Sequence, residues 1–137
     1  MNTVLNEFKR NDTAAAATLA EDSLVKMLVE GAIEKMHQAV KAHQDSELVL
    51  KGFLIGRTTG IIDALRNGLD LETGGQQAHD LDVIYNHIDL CLQAATDPEA
   101  HGYLLEALDI MLGMASAWSD MPPLMNVVTA QAQHAAI

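Results

Sequence analysis

Apolar residues recur at three- and four-residue spacing through four stretches of this chain, with no sustained two-residue alternation of the kind strands show. The pattern predicts four long helices. Thr18-Leu19-Ala20-Glu21 has the form of a capping box, so a first helix is expected from Thr18 or Glu21 to about His43. Its stripe is Leu24, Met27, Leu28, Ile33, Met36 and Val40. Asp45 or Ser46 can cap a second helix that carries Leu48, Phe53, Ile55, Ile61, Ile62, Leu65 and Leu69. Gly74-Gly75 stops that pattern and lets the chain turn. A third helix holds Leu81, Ile84, Tyr85, Ile88 and Leu92 to about Ala95. Asp97-Pro98 joins a side-chain cap to a proline at the first helical position, which opens a fourth helix through Leu104, Leu105, Leu108, Met111, Leu112, Ala115 and Trp118. Pro122-Pro123 ends it, because neither proline donates a hydrogen bond and each pushes its predecessor out of helical geometry.

Connections of a few residues make consecutive helices antiparallel. The expected fold is therefore all-α, an antiparallel up-down-up-down four-helix bundle over residues 18–121, with a mobile N-terminal segment (1–17) and a flexible C-terminal tail (122–137). A length of 137 residues suits one domain whose core needs neither disulfide nor metal. Hydrophobic residues make up 49% of the chain and aromatics only 4%, a palette of Ala, Leu, Met and Ile that suits packed helices.

Nineteen acidic residues against eight basic ones give a formal charge of −11, which repels phosphate backbones and anionic lipid, so neither nucleic acid nor a membrane surface is an expected partner. The start of the chain lacks a basic stretch followed by an apolar one, and no apolar run reaches the ~18 residues that span a bilayer. A soluble, cytoplasmic protein is expected. Cys91, the single cysteine, lies among Ile88, Leu90 and Leu92 and reads as a small buried hydrophobe.

Leu65-Arg66-Asn67-Gly68-Leu69-Asp70-Leu71-Glu72-Thr73-Gly74-Gly75-Gln76-Gln77-Ala78, followed by Leu81 and Ile84-Tyr85, resembles the helix-2 to helix-3 corner of the flagellar secretion chaperone family FliS. Met27-Leu28-Val29-Glu30-Gly31-Ala32-Ile33 is similar to that family's Met-Leu-Tyr-Asp-Gly-Ala-Ile signature. Ile61-Ile62 stands before Leu65-Arg66 at the family's spacing, and Ala117-Trp118 falls near the end of helix 4 as in the family. Together these pieces span residues 24–118. The departures are Val29 in place of the usual tyrosine, Leu19-Ala20-Glu21 in place of Ala-Ser-Pro after Thr18, and a leader with only Phe8 and the run of alanines at 14–17 where the family has a tyrosine.

The resemblance implies a cytoplasmic export chaperone that binds the disordered C-terminal segment of flagellin, prevents early polymerisation and hands the subunit to the flagellar type III export gate. It also implies a leading segment that folds over the client groove. A flagellin terminus that becomes helical only in the filament has an apolar face to mask, and helix-in-groove contacts can mask it.

Helix 2 offers two features for such a groove. Gly52, Gly56, Gly60, Ala64 and Gly68 put a small residue every four positions, either for close approach of helix 1 or helix 3 or as a channel for a client backbone. The helix is also apolar over more of its circumference than one core stripe needs, so part of it should be exposed or covered by another chain. Ile55, Thr59, Ile62 and Arg66 share one face, and Leu81, Ile84 and Ile88 of helix 3 border it; these seven are the expected partner-binding residues. Tyr85 and Trp118 match the family's tyrosine and tryptophan and read as core or core-edge anchors. Of the methionines, Met114, Met121 and Met125 are free of the core stripes and available to a partner.

Readings from other classes have thinner support. Glu34-Lys35-Met36-His37 has the Glu-x-x-His spacing of carboxylate di-metal bundles, which need a second such motif and two further glutamates. A histidine phosphotransfer module would use His79, His87 or His101, none of which has a Lys- and Gly-bearing context. There is no glycine-rich phosphate loop, nucleophile elbow or paired-cysteine site, so no enzyme, cofactor or metal is expected. A FliS-like bundle serving another secreted helical client, or a homodimer using the groove on itself, remains the alternative.

Overall fold

A computed structural model describes residues 14–119, and the side chains of residues 23–117. The described residues form four helices, α1 (Ala14–Gln44), α2 (Leu48–Asn67), α3 (Gly75–Ala94) and α4 (Gly102–Ser119), and a short 3-10 turn at Pro98–Ala100. Helix α1 packs on α2 and α4, and α3 packs on α2 and α4, so the four close a square. This is the expected all-α four-helix bundle. Each helix sends side chains to its centre: Met36 from α1, Ile62 from α2, Tyr85, Ile88 and Leu92 from α3, and Leu104 and Met111 from α4 are fully buried.

Several boundaries differ from the sequence reading. Helix α1 begins at Ala14, so Thr18 lies inside it and cannot be its cap. Ser46 closes α1 and does not open α2. Its φ of 58° is left-handed, Ser46 N–H donates to the His43 carbonyl at 3.1 Å and Glu47 N–H to the Ala42 carbonyl at 2.8 Å, the two bonds of a Schellman end. Glu47 then stands at the start of α2 without a side-chain cap. Asp97 does act as a cap, accepting from the Glu99 N–H at 2.9 Å, but the turn that it opens is 3-10 and α4 starts at Gly102.

The corner between α2 and α3 is built from Asp70 and two glycines. The Asp70 carboxylate accepts from the Glu72 and Thr73 N–H groups at 3.1 and 3.0 Å and from the Thr73 hydroxyl, which holds its pKa below the usual carboxylate value. A Cβ at Gly74 would collide with the Asp70 carbonyl oxygen and Ala78 Cβ, and Gly75 has φ +66°. Both glycines are required by the turn.

The inward face of α1 is made largely of small residues, Ala32, Ala39 and Ala42, together with Val29 and Met36, while Leu24 and Met27 of the expected stripe are exposed. Alanines carry little apolar area, so a stripe read from large side chains misses the line along which two helices approach most closely. The α3 stripe stands as read, with Leu81 and Ile84 partly buried beside it. In α4, Leu105 and Leu112 face outward. The leader with Phe8, the Trp118 side chain, Met121, Pro122-Pro123, Met125 and the tail lie outside the described residues.

Candidate partner-binding surface

Helix α2 is buried along Lys51, Leu54, Ile55, Thr58, Ile62 and Leu65. Opposite that line lies Gly52-x3-Gly56-x3-Gly60. An added Cβ at any of the three would have nothing within 4 Å among the described residues, so none of the four helices described uses the bare backbone for close packing. Val49, 90% exposed, and Phe53, 62% exposed, stand beside this row, and the Arg57 guanidinium sits 5.9 Å over the Phe53 ring. Leu48 and Leu50 are exposed near the start of the same helix.

The seven residues expected to bind a partner divide. Ile55, Ile62 and Ile88 are buried in the core, whereas Thr59, Arg66, Leu81 and Ile84 are partly exposed. Thr59 turns its hydroxyl back to the Ile55 carbonyl at 3.0 Å. Arg66 crosses to α3, with Nε donating to Asp82 at 3.1 Å, one Nη donating to Asn86 at 3.4 Å and lying 3.7 Å from Asp89. The Asp82 hydrogen bond foremost, then the negative charges of Asp82, Asp89 and Asp63, raise its pKa. Asp89 itself is pushed up to about 7, first by burial and then by the hydrogen bond and negative charge of Asp63, against the pull of Arg66. Through Arg66 this face of α2 is tied to α3, and three of the seven residues belong to the bundle interior.

Exposed large apolar side chains that were not among the expected partner-binding residues occur on the other helices. Val83 and Leu90 lie seven residues apart on α3, and Leu105 and Leu112 seven apart on α4, so each pair forms a ridge on one side of its helix. Val83 and Leu90 are apolar residues off the inward stripe of α3, whereas Leu105 and Leu112, part of the expected stripe of the fourth helix, turn outward instead. A cleft between α1 and the start of α2 adds the apolar walls Ala42, Leu50 and Leu54 under a rim of His37, Gln38, Lys41 and Glu47.

Beneath that end of the bundle lies a cationic group that periodicity does not reveal. Lys51 is only 2% exposed, its Nζ 2.9 Å from His43 Nδ1, and the His43 ring stacks on His101 at 3.6 Å between centroids. Burial lowers the pKa of Lys51, against a raising pull from Asp97, and lowers that of His101, with His43 and Lys51 adding to it. Tyr85 is fully buried with its hydroxyl unpartnered among the described residues, and burial pushes its pKa up to about 12. Glu34 and His37, of the Glu-x-x-His stretch, are exposed on α1.

The surface is thus a helical bundle with a bare glycine row and apolar ridges turned outward. The family described as Flagellar protein FliS matches residues 4–124. The chain belongs to the FliS family. FliS relatives with similar sequences include the flagellar secretion chaperone FliSB of Pseudomonas aeruginosa, 35% identical over 95 residues, 69% of this chain and 75% of that one. The flagellar secretion chaperone FliS of Vibrio cholerae is 33% identical over 107 residues, 78% of this chain and 79% of its own. That of Campylobacter jejuni is 27% identical over 120 residues, 88% and 91% of the two chains. FliS is a family of chaperones, not of enzymes. No helix among the described residues is long and apolar enough to cross a membrane.

Proposed function

We propose that this chain is a cytoplasmic flagellar export chaperone that binds the disordered C-terminal segment of flagellin, keeps it from polymerising and presents it to the type III export gate. The observation that carries the reading is the open row Gly52, Gly56 and Gly60 beside Val49 and Phe53. Each glycine costs the helix roughly 1 kcal/mol against alanine, and among the described residues no packed neighbour offsets it. A partner helix laid along the row would, since bare backbone permits a close approach and the flanking apolar side chains supply burial. Thr59, Arg66, Leu81 and Ile84 border the α2–α3 side of this surface, with Ile55, Ile62 and Ile88 supporting them from the core. Exposed ridges on α3 and α4 suit a long segment that wraps the bundle and orders as it binds.

Calorimetric titration of the chain with the C-terminal segment of flagellin from the same organism tests this. Tight binding with a negative heat-capacity change and a gain of helix is expected, and Gly56→Leu should weaken it at least tenfold while leaving the bundle folded. Failure to bind, including after deletion of residues 1–17, would refute flagellin as the client. A chain that sediments as a dimer, and whose dimer is broken by Gly56→Leu, would assign the row to self-association.

A further inference from the structure

A second cluster, to which α2 contributes nothing, lies at the α3–α4 seam. His87 and Cys91 are one turn apart on α3, and Glu106 reaches them from α4. Cys91 Sγ stands 3.5 Å from His87 Nε2 and 3.4 Å from Glu106 Oε2, and the latter two atoms are 2.6 Å apart.

We infer that these three side chains form a binding site for a divalent transition-metal ion of the zinc class. Zinc bonds of about 2.3 Å to sulfur and about 2.0–2.2 Å to nitrogen and oxygen, arranged tetrahedrally, require sulfur–nitrogen and sulfur–oxygen separations of roughly 3.5 Å and a nitrogen–oxygen separation of roughly 3.3 Å. The two distances from Cys91 already match. Only the hydrogen bond between His87 and Glu106 has to open, by about 0.7 Å at the ends of two half-exposed side chains, a movement within rotamer reach.

The donors are one thiolate, one imidazole and one carboxylate, a set that selects zinc, cobalt or related ions over magnesium and calcium. On binding, Cys91 gives its thiol proton to solvent, and His87 turns the Nε2 lone pair to the ion with its proton on Nδ1. The thiolate and the carboxylate then balance the two positive charges. Because His87 and Glu106 open to solvent, the ion has an entry path, and water completes its fourth position. Cys91 is buried behind them, so the ion would fasten α3 to α4 at its inner edge.

Titration of the untagged full chain with cobalt(II), followed by absorbance, tests the site. One equivalent should bind, giving a thiolate-to-cobalt charge-transfer band and the visible bands of a tetrahedral ion. His87→Ala and Glu106→Gln, both at exposed side chains, should weaken binding by roughly tenfold or more, and Cys91→Ala should remove the charge-transfer band. Zinc should raise the melting temperature of the parent chain and not of these variants. Absence of the charge-transfer band in the parent chain overturns the site. So does cobalt that binds all three variants as well as the parent, since the ion then sits on other histidines.

Discussion

Gly56 and Gly74 differ in what a methyl group placed on them would meet: open space at Gly56, the Asp70 carbonyl and Ala78 at Gly74. Gly56→Ala is therefore expected to stabilise the chain by about 1 kcal/mol, whereas Gly74→Ala should destabilise it by about 1–3 kcal/mol. Gly75→Ala should cost about 1–2 kcal/mol because an alanine at φ +66° is strained. Ser46 already carries that strain at φ 58°, so Ser46→Gly should gain about 1 kcal/mol. Urea unfolding midpoints order all four variants, and a Gly56→Ala variant less stable than the parent would show a packing role for the row. Asp89 supplies a pH-dependent contribution. Its folded pKa of about 7 lies above the ordinary 3.8, so the folded chain holds more protons between those values. Its stabilising effect is complete below about pH 4 and is lost as the pH rises through about 7. Asp89→Asn should flatten this fall, read from unfolding midpoints at pH 5 and pH 8; parallel profiles for the two proteins would discount it.

Among the helices, α3 and the α2–α3 corner were the most legible in sequence. Leu81, Ile84, Tyr85, Ile88 and Leu92 recur at three- and four-residue spacing, and a glycine pair after a stretch that ends a pattern has few structural readings. The junction of α1 with α2 was not legible, because Ser46 can accept at one helix start or turn left-handed at another helix end, and only the hydrogen bonds tell which. Helix α2 was half legible. Its all-round apolar character said that some side chains must be exposed, yet periodicity does not say which side an all-round apolar helix turns inward. Hence Ile62 and Ile88, read as partner contacts, stand in the core, and Val49 and Phe53 are presented to solvent. The two groups should part experimentally. Ile62→Ala and Ile88→Ala should each cost about 2–5 kcal/mol of stability, while Phe53→Ser should change it by no more than about 0.5 kcal/mol and still weaken client binding. A Phe53→Ser chain that binds flagellin as tightly as the parent would move the groove elsewhere.

At the scale of the whole molecule, the chain separates a core filled by every helix from a surface with exposed large apolar side chains on every helix. A formal charge of −11 over 137 residues opposes the approach of a second copy, a repulsion that burial of enough apolar area on a partner can overcome. Neither the buried Lys51 beside His43 and His101 nor the Cys91 cluster was visible along the sequence, since each joins residues from different helices. Along the glycine row no described side chain stands within 4 Å of the missing Cβ positions, so the α2 peptide groups there are open to competition from water for the helix hydrogen bonds. Amide hydrogens at positions 52, 56 and 60 should exchange with solvent ahead of those at Ile55, Thr58 and Ile62 on the buried side of the same helix. A client lying on the row would slow those three amides most.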